Sequence, residues 1–88
     1  MLRRSIMFIN KTKDGRNNIC GKAVSVRRKE LGLSQRALAE RMQVHGIEME
    51  KNAIQRIESG QRFVTDIEIV KLTKALNVSL EYLLNIED

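Results

Sequence analysis

The stretch "MQVHGIEMEKNAIQRIESG", residues 42–60, decides how the rest of the chain is interpreted. In its second half, Ile54 and Ile57 recur at helical spacing among polar residues, which is the pattern of an amphipathic α-helix. Gly60 follows, and glycine suits the left-handed position just past a helix end. We therefore predict a helix from about Glu50 to Ser59.

The part of the chain before this helix predicts a second helix and a connection. Residues 43–49 contain Gly46 and lack a clear period, as a connecting segment does. Upstream, Ser34 is a good N-cap for a helix that begins with "QRALAERMQ". Its inward residues are predicted to be Leu38, Ala39 and Met42.

Three further helices complete the prediction. Asn18 can cap a first helix, Thr65 or Asp66 a fourth, and Ser79 a short last one. No proline interrupts these periods. The sequence predicts an all-α domain of five short helices, whose remaining core residues are expected to be Cys20, Val24, Leu31, Ala53, Ile69, Leu72, Ala75 and Leu76.

Composition agrees with one small domain that has a basic half. The chain has 88 residues, 42% of them hydrophobic, and only two Phe, one Tyr and no Trp, so an aliphatic core is expected. Residues 1–41 hold eleven Lys or Arg and three acidic residues, whereas residues 42–88 hold five and eight. The net charge of the whole chain is +5. Its basic half indicates a polyanionic partner.

The N-terminal residues and the single cysteine suggest a location. Residues 1–18 mix basic residues with Asn, Asp and Gly, and we expect a flexible basic arm before a domain at residues 19–88. Basic residues of the arm could follow phosphates or enter the minor groove of DNA.

The apolar run "IMFI", residues 6–9, is too short for a signal peptide or a membrane span. Because one cysteine cannot form an internal disulfide, a reducing cytoplasm is the expected setting.

Three segments in this order resemble the Cro/cI-type (lambda-repressor-like, XRE) helix-turn-helix domains. They are "RRKELGLSQRALAERM", residues 27–42, "AIQRIESGQR", residues 53–62, and "IVKLTKALNVSLEYLL", residues 69–84. The resemblance implies a five-helix lambda-repressor-like fold that binds double-stranded DNA in a sequence-specific way. It also implies a transcriptional regulator, with a repressor of bacterial, phage or mobile-element origin as the leading expectation.

Candidate DNA contacts lie on the predicted second and third helices. The outward residues of the third helix have side chains that can hydrogen-bond base edges in the major groove: Lys51, Asn52, Gln55 and Arg56. The resemblance places Gln35 against a phosphate, and the start of a helix attracts anions. Ser34 and Arg36 could add phosphate contacts, and Gln61 and Arg62 match a segment that touches the DNA backbone. The resemblance also pairs Arg28 with Glu58, which we interpret as a structural ion pair.

The connection before the third helix departs from the family pattern. Ala39 and Ile54 are five residues further apart than usual, and Gln43 stands where the pattern has glycine. The second helix is therefore expected to continue to about Val44 or His45, with Gly46 as the displaced turn, as in a subfamily with a longer connection. Two acids in or beside this segment, Glu48 and Glu50, would repel nearby phosphates.

A homodimer on a near-palindromic site is the expected assembly. Its contact is predicted on the last helix, at Leu83, Leu84 and Ile86. The alternative is an antitoxin or another protein-interaction module that uses the same fold to hold a toxin or other partner.

Neither a cofactor nor a catalytic residue is predicted. His45 has no second histidine or thiolate at metal-ligand spacing, so a metal site is not expected. No serine stands in a nucleophile motif, so an enzyme is the least favoured class.

Overall fold

A computed structural model describes residues 11–85 of the chain. Five helices follow one another in this range, and it contains no strand, which confirms the predicted all-α, five-helix fold. The helices are α1 (Gly21–Glu30), α2 (Gln35–Val44), α3 (Lys51–Ser59), α4 (Asp66–Leu76) and α5 (Leu80–Leu83). No helix within the described range is long and apolar enough to cross a bilayer.

Short polar residues cap α2, α4 and α5, as predicted from the sequence. The Ser34 hydroxyl accepts a hydrogen bond from the Ala37 backbone N–H at 3.0 Å at the start of α2. Thr65 and Glu68 form a reciprocal capping box at α4, in which each side chain accepts from the other residue's backbone N–H. These caps satisfy amides that have no partner within the helix.

The core is aliphatic and draws on all five helices. Ile54 and Ile57 of α3 have no exposed surface, and α3 packs against both α1 and α2. The small Ala39 is buried where α2 and α3 meet. The other buried apolar side chains are Cys20, Val24, Leu38, Met42, Met49, Leu72, Ala75, Leu76 and Leu83.

The lengthened connection is partly helical. The second helix continues to Val44, which confirms the expected extension, and Gly46 follows with a φ of 89°. Met49 then returns into the core, where it is 4% exposed, and its carbonyl accepts from the Gln43 side-chain amide at 3.3 Å. The added residues therefore extend α2 through Gln43 and Val44 and form an anchored hinge at residues 45–50.

Residues 11–18, expected to belong to a flexible arm, instead contact the domain. Asn18 is buried, and its Oδ1 accepts from the Gly21 N–H at 2.8 Å, so it satisfies the first amide of α1, although the N-cap residue is Cys20 and not Asn18 as predicted. The Asn17 N–H donates to the Gly60 carbonyl at 2.7 Å. Residues 1–10, with Arg3 and Arg4, lie outside the described range, and an arm there stays a prediction.

The last helix corrects one predicted dimer contact. Leu83 is 1% exposed, because the single turn of α5 packs against α1 and α4 and directs this leucine into the core. A residue buried in the monomer cannot supply a dimer surface, so the prediction for Leu83 was wrong. Leu84 is half-buried against the same core, and Ile86 lies outside the described range.

Candidate nucleic-acid interface

The outer face of α3 carries the four predicted base-reading residues. Lys51, Asn52, Gln55 and Arg56 are all exposed, while Ile54 and Ile57 on the opposite side are fully buried. At about 100° per residue, the four polar positions span about 140° of the helix circumference. This face presents an ammonium, two amides and a guanidinium, which can hydrogen-bond base edges and phosphates.

A shallow basic depression lies between the starts of α2 and α3. It is lined by Arg28, Ser34, Gln35, Arg36 and Lys51. Arg36 and Lys51 are exposed, and neither has an ion-pair partner among residues 11–85. The amides at the start of α2 add positive potential, so the depression has the chemistry of a phosphate site.

An ion pair connects this depression to the end of α3. Arg28 Nε and Nη2 donate to the Glu58 carboxylate at 2.6 and 3.0 Å, and Gln35 Nε2 donates to Glu58 Oε1 at 3.1 Å. The Glu58 carboxylate raises the pKa of the Arg28 guanidinium, mainly through the hydrogen bonding between these two side chains. Since an amide nitrogen carries two hydrogens, Gln35 keeps one donor for a ligand while Glu58 fixes the side chain.

The two residues predicted to contact phosphate after α3 have different surroundings. Gln61 is exposed. Arg62 instead forms a two-point ion pair with Glu68, at 2.9 and 3.1 Å, and also donates to the Phe63 carbonyl. The hydrogen bond from Arg62 is the main reason that the pKa of Glu68 lies below its ordinary value. Arg62 is thus directed toward α4, which favours a structural role for it.

Acidic side chains lie beside the exposed outer face of α3. Glu48 and Glu50 line one open concavity together with Asn52, Arg56 and Gln61. Glu50 is the residue just before α3, and its side chain makes no capping hydrogen bond. Carboxylates can accept from cytosine amino groups and they repel phosphates, so acids that meet DNA at this position would favour some sites over others.

His45 and Cys20 do not form a metal or redox centre in the described range. No group of three His, Cys, Asp or Glu side chains comes together in residues 11–85. Burial raises the pKa of the Cys20 thiol to about 11. The thiol is therefore neutral at ordinary pH and acts as a small apolar core residue.

Sequence reasoning missed the contacts that Arg16 and Asn17 make with the end of α3. Arg16 Nη2 donates to the Glu58 carbonyl at 2.7 Å, and Asn17 Nδ2 donates to the Gln61 carbonyl at 2.9 Å. The available signal was Gly21, a glycine inside the first turn of a helix. A Cβ there would overlap the Ile57 carbonyl oxygen, so the start of α1 lies directly against the end of α3.

An exposed polar helix packed across the helix before it, with a basic depression at their starts, defines a helix-turn-helix DNA-binding domain. The family model described as "Helix-turn-helix" matches residues 26–83. The chain belongs to this family, of the Cro/cI (XRE) type, and is a DNA-binding transcription regulator. Comparison with curated proteins found no match, and comparison with solved structures found none.

Proposed function

We propose that the chain is a sequence-specific repressor of bacterial, phage or mobile-element origin that acts by occupying an operator. The observation that carries the proposal is the exposed polar face of α3 beside the basic depression. In the proposed complex, α3 enters the major groove of the operator and directs four side chains toward the bases: Lys51, Asn52, Gln55 and Arg56.

The depression supports a phosphate contact at the edge of the groove. Ser34, Gln35 and Arg36 would hold a phosphate at the start of α2, and Gln61 a second one beyond the end of α3. Lys51 belongs to both surfaces, so it can reach either a base or the backbone. Phosphate contacts fix the register of the domain, whereas base contacts determine the sequence that it reads.

A dimer would place two α3 helices in successive major grooves, about 34 Å apart. Its surface needs apolar side chains that the monomer leaves exposed. Phe63, Ile67 and Val70 are 62%, 63% and 47% exposed, and the last two lie three residues apart on α4. We propose the side of α4 that carries Ile67 and Val70, and not Leu83, as the contact with a second copy.

Selection of bound duplexes from a random library tests the proposed function. We expect a near-palindromic site with half-sites one helical turn apart, and binding that weakens steeply as salt rises. Absence of binding to any duplex at low salt would contradict the proposal. An enriched site without symmetry would contradict the dimer but leave the DNA-reading function intact.

Sedimentation of the purified chain separates the homodimer from a module that holds another protein. A dimer that an Ile67→Asp change converts to a monomer supports self-association through α4. A monomer at all concentrations, on DNA as well as free, would instead favour a surface that binds a different partner, such as a toxin.

A further inference from the structure

Three consecutive residues before α1 hold the C-terminal end of α3. Arg16, Asn17 and Asn18 direct five hydrogen bonds, each between 2.7 and 3.0 Å, to backbone carbonyls of the last turn of α3 and the residues after it. The acceptors are the carbonyls of Ile57, Glu58, Gly60, Gln61 and Arg62. We call residues 16–18 the clamp.

The clamp meets needs that the end of a helix creates. The last carbonyls of an α-helix have no partner within the helix, and together they carry a partial negative charge. Arg16 and Asn18 donate to the Glu58 and Ile57 carbonyls of this last turn, and Asn17 and Asn18 also donate to carbonyls of the residues after it. Gly60 makes the contact possible: its φ is 85°, and a Cβ there would lie 2.8–2.9 Å from the Arg16 side chain.

A closed turn supports the clamp from its N-terminal side. The Thr12 N–H donates to the Arg16 carbonyl at 2.8 Å, and the Arg16 N–H donates back to the Thr12 hydroxyl at 2.9 Å. Lys22 of α1 forms an ion pair with Asp14 of the turn at 3.1 Å. The clamp is therefore held from its N-terminal side as well as by its contacts with α3.

The two ends of α3 are held differently. At its start, α3 follows the lengthened connection, in which Met49 is buried while Glu48 and Glu50 on either side of it are exposed. At its end, α3 is held by the clamp and by the pair of Arg28 with Glu58. The clamp lies outside the segment matched by the family, residues 26–83, whereas all of its acceptors lie inside it.

We propose that Arg16 and Asn17 are positioning residues that set the angle at which α3 meets the DNA groove. This inference rests on the proposed function. The proposed role of Arg16 differs from a phosphate contact, because its side chain donates to the Glu58 carbonyl and packs against Gly60. Loss of the clamp releases the end of α3, so it weakens sequence reading more than attraction to the DNA backbone.

The test compares affinities of the full chain for its selected site and for random duplex over a range of salt. In Arg16→Ala, the ratio of the two affinities is expected to fall about tenfold, the scale of one lost base contact, with the salt slope unchanged. Asn17→Ala should lower the ratio less, and Arg16→Lys should restore part of it. Lys13→Ala is the charge-matched control, because Lys13 is exposed and makes no hydrogen bond or ion pair in the described range.

A stability control separates positioning from general destabilisation. Ser79→Ala removes the hydroxyl that caps α5, so it lowers stability while it leaves every donor and acceptor of the clamp in place. It should reduce binding to both DNAs equally. If Arg16→Ala does the same, or shows a salt slope smaller by about one with equal loss on both DNAs, the positioning role is overturned.

Amide hydrogen exchange gives a readout that needs no DNA. In Arg16→Ala, the amides of Gly60, Gln61 and Arg62 should exchange at least about tenfold faster, while those of α4 stay unchanged. Unchanged exchange at the end of α3 would overturn the clamp even if the wild-type chain reads DNA. A wild-type chain that prefers no duplex, with faster exchange in the variant, would instead overturn the proposed function.

Discussion

The guanidinium of Arg28 on α1 and the carboxylate of Glu58 on α3 meet in a two-point ion pair at 2.6 and 3.0 Å. Both side chains are nearly buried, with exposed fractions of 11% and 8%. Arg28 Nη1 also donates to the Leu33 carbonyl at 2.7 Å, and Gln35 reaches the same carboxylate. This ion pair and its hydrogen bonds thus connect α1, the start of α2 and α3.

Loss of one partner of this pair should be costly. Arg28→Met leaves the nearly buried Glu58 carboxylate without its cation and with Gln35 as its remaining side-chain donor, and we expect the free energy of unfolding to fall by about 3 kcal/mol in urea titrations. The double variant with Glu58→Leu should recover much of this loss, because it removes both charges. A loss below about 1 kcal/mol in the single variant would show that the pair contributes little.

Gly21→Ala should destabilise the domain even though alanine is the better helix former. The added Cβ overlaps the Ile57 carbonyl oxygen, which is backbone and cannot move aside cheaply. We expect a loss of about 2 kcal/mol in the free energy of unfolding, against a gain of up to about 1 kcal/mol from helix propensity alone. Lys29→Ala, at an exposed position of α1, is the control, and it should stay within about 0.5 kcal/mol. A stabilised Gly21→Ala variant would contradict the close packing of α1 on α3.

Met49 should anchor the hinge. Its side chain is 4% exposed, so Met49→Ala is expected to cost about 2–3 kcal/mol of unfolding free energy, measured by urea or thermal unfolding. Glu48→Ala, one residue earlier and exposed, should have little effect on stability. Equal stability of the two variants would mean that the hinge is not held by this methionine.

The pair of Arg62 with Glu68 should make stability depend on acid pH. The pKa of Glu68 is lowered in the folded protein, mainly by the hydrogen bond from Arg62, relative to its ordinary value of 4.5. Its contribution is therefore complete above about pH 4.5 and is lost as the pH falls through the lower folded value. Glu68→Gln should reduce the difference between unfolding free energies at pH 7 and pH 3. Glu81→Gln is the control, since Glu81 is exposed and makes no ion pair in the described range, and an equal reduction in both variants would contradict this role for Glu68.

Arg56→Ala should identify a base contact. If Arg56 reads a guanine, the variant loses about 1–3 kcal/mol on the selected site and its preference relaxes at one base pair. Binding to variant duplexes at a single salt concentration measures this change. Equal weakening on every sequence, with a smaller salt slope, would assign Arg56 to a phosphate instead.

Features governed by local sequence agree well between prediction and structure. Ser34, Thr65 and Ser79 cap helices as expected, because a cap depends on a side chain and an amide three residues away. The extension of α2 to Val44 and the turn at Gly46 were also predictable from the missing glycine at position 43. The exposed face of α3 follows directly from the helical period of its isoleucines.

Features governed by distant contacts were not predictable in the same way. The clamp at Arg16 and its acceptor Glu58 are 42 residues apart, and no local pattern indicates that they meet. The direction of Leu83 also escaped prediction, because a helix of one turn is too short for a period to show which leucine faces inward. Arg62 could equally face DNA or Glu68 until α4 is placed beside it.

The sequence alone determined the helices, the caps of α2, α4 and α5 and the residues exposed on α3, because each depends on neighbours within about one or two turns of chain. The family followed from the order and spacing of three such segments. Only the tertiary structure decided which charged groups are already paired and what holds each end of α3. That information depends on how α1, α3 and α4 pack together, since a side chain selects its partner from groups that folding brings near it.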